Sequence, residues 1–495
     1  MARYRKATRF GHGSAHVLFN SEPYILFLGT VVALNWALPR DWRPAFLLAA
    51  SYFFYAYWSP PYLALILSLT AFNYLAGILQ GRSTPRRRGL LALAIAVDLA
   101  ALGVFKYLGF LDGTVNSIAA LVGGRGSLPV VQLILPLGLS FFTFEFVHYQ
   151  IDLFRGTEPI LNPIRFALFP AFFPTQIAGP IKRYEDFDEQ VREKPAFNVS
   201  VFLEGLELIA VGLFKKAVIA DTVARLVVLV YSHPGQVGAG DAWFGSLAWW
   251  IQIYFDFSAY SDIARGSAQL LGYRIPLNFN APYLSRSFQN LWQRWHMSLS
   301  FWMRDYVFQP LVTARGLKRF RINVRLILAV MVTFALVGLW HGAAVHFVAF
   351  GLMCGLWVVV DRILEVRVWR RKSLARVRTI AVWAQTQLLI LVTLVLFVVP
   401  VTGALHFWKV MFTGAPGFQL LNSLEVLQIA GIFGATVGIQ IAMERWKPRE
   451  WISRLELSSL MRPAYVASLS AVALYFAVAG AAINLSTQRF VYFQF

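Results

Sequence analysis

The stretch NFNAPY (278–283), followed by FQNLWQRWHMSLS (288–300) and WMRDY (302–306), carries polar and charged groups inside a strongly apolar chain. At 3.6 residues per turn its large apolar side chains fall on one stripe, and this spacing predicts a helix over 278–311. The neighbouring polar face consists of Gln289, Gln293, His296, Ser300 and Arg304. Because a charged side chain at the centre of a bilayer costs about 2.5–3.5 kcal/mol or more, we expect this helix to line a cavity or an interface.

A second unusual stretch is GLWHGA (338–343), which lies within an uncharged run from Leu326 to Val360. As one straight helix at 1.5 Å per residue, that run would be about 52 Å long, whereas the hydrocarbon core is ~30 Å thick. We therefore expect the helix to break at Gly338 and Gly342. This break would place His341 at a helix end or bend at membrane depth.

The composition is typical of a polytopic membrane protein. Of the 495 residues, 58% are hydrophobic and only 14% are charged, whereas soluble domains average roughly 25% charged. We predict an all-α protein with about eleven crossings, a basic extension over 1–20 and one membrane domain over 21–495. The net charge of +20 does not indicate a nucleic-acid partner, because the basic residues cluster in short loops, as expected for a protein of the lipid bilayer.

Several other segments carry polar groups or irregular sequence. The segment 167–181 contains three prolines and a glycine, so we expect irregular backbone that is buried in protein or lines a wet cavity. On a predicted span over 130–154, Glu145, His148 and Asp152 share a helix face, which fits a buried polar network or a metal or proton site. Basic loops over 312–325 and 362–377 predict a cationic cytoplasmic mouth, or reflect plain positive-inside bias.

His296 and His341 allow acid–base chemistry, since a neutral imidazole has an unperturbed pKa near 6.5. His341 could take a proton from a hydroxyl while an acyl carbonyl is held nearby, and His296 could hydrogen-bond the same reactants. The alternative for each histidine is an ordinary packing role. Serine-nucleophile, P-loop, H-E-x-x-H and C-x-x-C motifs are absent, so covalent Ser or Cys catalysis and ATP-driven transport are not indicated. A third ligand for a metal at these histidines is also not evident.

Several motifs resemble, in the same order along the chain, those of the membrane-bound O-acyltransferase family, especially its bacterial alginate-acetylating branch. These motifs are PTQIAGPI (174–181), GLFKK (212–216), QIYFDFSAYSD (252–262), NFN (278–280), WQRWHMSLS (292–300), RDY (304–306) and GLWHG (338–342). The family often has arginine where Gln293 stands, so one positive charge is missing here. The resemblance implies a ring of tilted helices, with re-entrant or interfacial helices, around a central tunnel.

The resemblance also implies a multi-pass protein of the bacterial inner membrane that moves acetyl groups from cytosolic acetyl-CoA to an extracytoplasmic polysaccharide. A periplasmic SGNH-type acetyltransferase would be its partner, and it would need neither a bound cofactor nor a metal. His341 and His296 would be catalytic. Substrate-binding roles are expected for Trp340, Asn278, Gln176, Arg294, Ser300, Arg304, Asp305 and Tyr306.

Two other functions remain open. One is D-alanyl transfer of the teichoic-acid type, which uses a carrier-protein thioester, and the other is a non-enzymatic transporter. A neighbouring gene for a secreted SGNH-like protein would favour acetyl transfer. Neighbouring genes for an acyl-carrier protein and a D-alanine ligase would favour D-alanyl transfer.

Overall fold

The computed structural model describes residues 19, 21–58, 60–82, 86–110, 133, 135–367, 375–446 and 468, and these form helices and irregular segments without a strand. The all-α prediction is therefore confirmed for this part of the chain. The basic extension over 1–20 and the predicted last span over 463–485 lie outside the described residues, apart from Phe19 and Ser468.

Six helices within the described ranges are long and apolar enough to cross a membrane. They are Pro60–Gly81, Arg87–Phe110, Ile322–His341, Val345–Ile363, Thr379–Val398 and Ser423–Trp446. The prediction of about eleven crossings is not confirmed, since three of the predicted spans form helices of only 16 or 17 residues. A crossing helix needs about 20 residues.

The described chain forms two compact units, and the first contains the chain up to Gly205 together with Ala264–Pro276. A single membrane domain over 21–495 stays a prediction. The helices of the first unit are α1 (Glu22–Ala37), α2 (Arg43–Trp58), α3 (Pro60–Arg82), α4 (Arg87–Leu102), α5 (Leu139–Arg155), α6 (Pro163–Ala171), α7 (Tyr184–Glu193) and the first part of α8 (Val199–Phe214).

A buried ladder of amides joins three helices of the first unit. Asn73 on α3 donates its Nδ2–H to Oδ1 of Asp98 on α4 at 2.8 Å. Gln150 on α5 donates to Oδ1 of Asn73 at 3.0 Å, and Gln80 on α3 donates to Oε1 of Gln150 at 3.0 Å. Because such groups are costly to bury alone, their mutual hydrogen bonds fix the relative register of α3, α4 and α5.

The proline-rich segment 167–181 is irregular after α6, as predicted, and is buried in protein. Lys182 donates its Nζ–H to Glu145 of α5 at 2.8 Å and to Thr175 at 2.9 Å. Glu145 thus joins α5 to the irregular segment, which supports the interpretation of the Glu145, His148 and Asp152 face as a buried polar network.

The second unit contains Leu206–Ile263 and the chain from Leu277 onward. After α8, a π-helical turn (Lys215–Ala220) leads into the next helix. The further helices are α9 (Asp221–Ser232), α10 (Ala239–Leu270), α11 (Phe288–Trp292), α12 (Met297–Met303), α13 (Gln309–Thr313), α14 (Ile322–His341), α15 (Val345–Arg367), α16 (Ala375–Val398), α17 (Val401–Thr413) and α18 (Ser423–Trp446). The last residues of α10 belong to the first unit.

Asp241, in the first turn of α10, ties this helix to the loop between α17 and α18. Its buried carboxylate accepts backbone N–H groups from Gly238 at 3.0 Å, Gln419 at 2.7 Å, Leu420 at 3.2 Å and Leu421 at 2.9 Å. The helix dipole also favours an anion at this end of α10. One side chain therefore accepts from four backbone donors, of which those of Gly238 and Leu421 are buried, and fixes the loop.

The uncharged run breaks once. Helix α14 ends at His341, and Gly342 has extended backbone with φ −171° and ψ 150°, so the predicted break at Gly342 is confirmed. The predicted break at Gly338 is wrong, because α14 continues through that residue. A Cβ at Gly338 would overlap the carbonyl oxygen of Phe347 in α15. Gly338 therefore permits a close crossing of α14 and α15 rather than a bend.

Candidate active site

The single helix predicted over 278–311 is wrong, because α11 begins only at Phe288 and a turn over 293–296 separates it from α12. His296 adopts the left-handed conformation, with φ 42° and ψ 52°, which is uncommon outside glycine and concentrates at functional sites. Backbone pairing explains the break. Asn280 donates its N–H to the Arg294 carbonyl at 2.9 Å, and Met297 donates to the Asn278 carbonyl at 2.9 Å.

The Asn278 side chain holds this turn. Its Oδ1 accepts the Ser298 hydroxyl at 2.7 Å and the Ser298 N–H at 3.3 Å. Its Nδ2–H donates to the Ser261 hydroxyl of α10 at 3.2 Å. Asn278 therefore positions the backbone beside His296, and a substrate-binding role for it stays a prediction.

Trp340 contacts both histidines. Its ring centroid lies 5.7 Å from that of His296 and 4.9 Å from that of His341. His296 also packs edge-on against Phe257 at 4.7 Å. Burial, with a smaller contribution from His341, lowers the pKa of His296 well below its usual range. His296 is therefore a neutral imidazole at cellular pH, able to donate or accept a hydrogen bond.

His341 lines a small chamber of about 50 Å³ with mainly aromatic walls. The aromatic lining residues are Trp250, Phe257, Phe288, Trp292, Trp295, Phe350 and Phe397. Among the described residues that line this chamber, Asp256 and Cys354 are the other titratable ones. Since one water needs roughly 10–15 Å³ on this measure, the chamber has room for a small acyl group or a few waters.

A larger cavity of about 830 Å³ lies along the polar face predicted from the sequence. Gln289, Gln293, Ser300 and Arg304 all line it, together with Arg362 of α15. The sequence placed five polar side chains on one helix face; four of them line this cavity, and His296 is not among its lining residues. Apolar side chains of α14 and α15 form the opposite wall. The cavity thus combines charged, amide and apolar surfaces.

Trp292 lines both the chamber and the larger cavity. Its ring packs against Phe334 of α14 with centroids 5.1 Å apart. Its indole Nε1–H is buried and has no hydrogen-bond partner among the described residues. Buried donors are normally paired, so this N–H is suited to a ligand. The sequence pattern assigned Trp292 only to the apolar stripe, because periodicity cannot show that one ring separates two cavities.

Three other predicted site residues pair with their neighbours. Arg294 forms an ion pair with Glu444 of α18. Asp305 accepts the Nε–H of Arg304 at 2.7 Å, and the Tyr306 ring lies 5.2 Å from that of Trp302. Their substrate-binding roles stay predictions, as does the role of Trp340.

Gln176 belongs to the first unit. Its side-chain amide is buried, and neither amide atom has a hydrogen-bond partner among the described residues. Gly138 has a left-handed φ of 73°, and a Cβ there would overlap the Gln176 carbonyl oxygen. The backbone at Gln176 is therefore tightly held, and its predicted substrate contact stays a prediction.

The chain is similar to known proteins over the region that contains this site. The profile of the membrane-bound O-acyltransferase family matches residues 158–402. The probable alginate O-acetylase AlgI of Pseudomonas aeruginosa is 39% identical over 388 residues, which cover 77% of this chain and 72% of that protein. This chain belongs to the membrane-bound O-acyltransferase family.

Two further relatives carry the names of other acyl transfer activities. A peptidoglycan O-acetyltransferase of Helicobacter pylori is 33% identical, over 70% of each chain. A teichoic acid D-alanyltransferase of Bacillus subtilis is 32% identical over 49% of this chain and 62% of that protein. Family membership and the six apolar helices make this protein a multi-pass membrane O-acyltransferase.

Proposed function

We propose that this O-acyltransferase moves acetyl groups from cytosolic acetyl-CoA across the bacterial inner membrane for O-acetylation of an alginate-type polysaccharide. The observation that carries the proposal is the aromatic chamber of His341, which shares the Trp292 wall with a larger, cationic cavity. Similarity to AlgI of Pseudomonas aeruginosa supports the polysaccharide class. A periplasmic SGNH-type acetyltransferase would complete the transfer.

The larger cavity suits the donor. Its volume of about 830 Å³ lies within the usual range of ~300–1,000 Å³ for ligand sites. Arg304 and Arg362 offer charge to the coenzyme phosphates, and the apolar wall of α14 and α15 offers surface to the pantetheine arm. Of the two basic loops expected to form a cationic mouth, 362–377 contributes Arg362, and 312–325 contributes Asn323. The thioester would then lie at Trp292.

The chamber suits the transfer step. His341 takes the proton of the acceptor hydroxyl while the hydroxyl oxygen attacks the acetyl carbonyl carbon. The carbon–sulfur bond breaks, and the coenzyme A thiolate receives the proton from the imidazolium. The Trp292 N–H would donate a hydrogen bond to the thioester. The neutral His296 would help to orient the reactants through its contact with the Trp340 ring.

The donor assignment predicts weaker binding when the cavity arginines are removed. Arg304→Met and Arg362→Met should each weaken acetyl-CoA binding by about 10-fold or more, since a hydrogen bond to a charged group contributes ~1.5–3 kcal/mol. Titration calorimetry on detergent-purified protein measures the affinity. Arg319→Met, an exposed substitution outside the cavity lining, is the matched control. Wild-type affinity in both cavity variants would contradict the donor site.

The shared wall predicts that Trp292 limits the size of the acyl group. Trp292→Ala should join the two cavities and raise the ratio of butyryl to acetyl transfer in kcat/KM by about 10-fold or more, because one methylene changes selectivity ~10–200-fold. Trp292→Phe, which keeps an aromatic wall, should change the ratio less. An unchanged ratio in a folded Trp292→Ala protein would refute the role of the wall.

The overall function is tested by mass spectrometry of cell-surface glycans from a deletion strain and by thioester cleavage with purified protein. Loss of glycan O-acetylation and cleavage of acetyl-CoA are expected. Cleavage of a D-alanyl carrier-protein thioester instead would favour the teichoic-acid type of activity. Absence of thioester cleavage with either donor would favour a transporter.

A further inference from the structure

A buried charge cluster lies beside the chamber of His341. Lys216 donates its Nζ–H to Oδ1 of Asp256 on α10 at 2.7 Å and lies 2.9 Å from Oδ1 of Asp221 at the start of α9. The Lys216 and Asp256 side chains are each 2% exposed. Asp256 also lines the chamber. One carboxylate therefore belongs both to the charge cluster and to the wall around His341.

The backbone turn that carries Lys215 and Lys216 places both side chains against α10. Lys215 and Lys216 begin the π-helical turn between α8 and α9, and such turns are frequent at functional sites. Lys215 pairs with Asp262 of α10 at 2.6 Å, one and a half turns beyond Asp256. The two neighbouring pairs hold α10 at fixed points against the turn, so the Asp256 carboxylate has a defined position.

A buried ion pair is weak evidence that the pair stabilises the fold, because the cost of desolvating both charges offsets much of their attraction. In this cluster the single charge of Lys216 is divided between two carboxylates. Asp256 thereby retains anionic character toward the chamber. An anion beside an imidazole favours the protonated form of that imidazole.

We propose that Asp256, held by Lys216, is a positioning residue for acyl transfer, and that its carboxylate stabilises the imidazolium formed when His341 takes the acceptor proton. The inference rests on the proposed role of His341 as the base. The interaction between the Asp256 carboxylate and the His341 imidazolium is electrostatic. Asp256 neither accepts the transferred proton nor contacts the acyl group.

The other titratable groups around His341 do not supply this anion. Cys354 of α15 lines the same chamber as a thiol. His296 reaches His341 through Trp340 and is neutral. Lys216 lies behind Asp256 and carries positive charge, which would oppose protonation of His341. Asp256 is thus the carboxylate among the described residues that line the chamber.

The test is the pH dependence of acetyl transfer in Asp256→Asn. We expect kcat to fall about 10- to 100-fold with an unchanged KM for acetyl-CoA. The acidic limb of the kcat profile should move to lower pH, because the imidazolium loses a stabilising anion. Asp256→Glu should restore part of the rate. Asp221→Asn should move the limb in the same direction by a smaller amount, since Asp221 does not line the chamber.

Glu425→Gln, a carboxylate of the same unit that belongs neither to the charge cluster nor to the chamber lining, is the matched control and should keep both the rate and the pH profile. Wild-type kcat in Asp256→Asn, or a lower kcat with an unmoved acidic limb, would overturn the inference. If Asp256→Asn fails to fold, an unmoved limb in Asp221→Asn would overturn it instead. Near wild-type transfer by His341→Ala would overturn the proposed function itself, which separates the two failures.

Discussion

Replacing His341 by alanine is expected to lower acetyl transfer by ~10²–10⁴-fold, the usual contribution of a general base, in a protein that still folds. The side chain lines a chamber at the end of α14, so its removal enlarges a cavity rather than breaking a helix. The loss should appear in turnover, because most donor binding energy comes from the remote phosphates and adenine. Surface-glycan acetylation in cells, alongside acetyl-CoA binding to the purified variant, measures both quantities.

Substitutions of two other histidines provide comparisons for His341→Ala. His296→Ala should reduce turnover less, since the proposed function gives His296 only an orienting role through its contact with Trp340. His233→Ala should keep wild-type turnover, because His233 is exposed at the end of α9 and pairs with the Leu229 carbonyl at 2.8 Å. A folded His341→Ala protein with near wild-type acetylation would return His341 to a packing role.

Replacing Asp241 by alanine is expected to prevent accumulation of folded protein. The substitution leaves the buried backbone N–H groups of Gly238 and Leu421, and the partly buried ones of Gln419 and Leu420, without their acceptor. At ~1–3 kcal/mol for each buried unsatisfied group, the loss is a large fraction of the whole stability of a typical domain, about 5–15 kcal/mol. The yield of monodisperse protein in detergent and its melting temperature measure the effect.

Glu425→Ala is the matched control for Asp241. Glu425 is half-buried in the first turn of α18 and accepts a backbone N–H at the surface, from Asn422 at 2.9 Å. Its loss should therefore cost about 1 kcal/mol or less, as for an exposed helix cap. Equal melting temperatures for Asp241→Ala and wild type would show that other groups hold the loop.

The parts of the site that follow from local spacing were predictable from the sequence. Gln289 and Gln293 are four residues apart, as are Ser300 and Arg304, and each pair lines the larger cavity because residues at i and i+4 share a helix face. The end of α14 at His341 followed from the length of the uncharged run and the flexibility of Gly342. The charge composition likewise indicated a membrane protein.

The other features of the site depend on contacts between residues that are far apart in the sequence. No glycine or proline marks the turn over 293–296, and its conformation depends on backbone and side-chain bonds from Asn278. Asp256 stands in an aromatic stretch of the sequence, but its pairing with Lys216 joins residues 40 positions apart. Nothing in the local sequence distinguishes Asp241, whose acceptor role depends on Gln419, Leu420 and Leu421. In each case the partner lies too far along the chain for local patterns to identify it.

The indole wall at Trp292 has a consequence for the energetics of the host membrane. An open aqueous path as wide as the larger cavity would let ions leak down the membrane potential, at ~2.3 kcal/mol per charge per 100 mV. Trp292 lines both that cavity and the chamber of His341, so in the proposed function the acyl group would pass at its ring. An aromatic wall at this point would exclude hydrated ions, and acyl transfer would then leave the ion gradient intact.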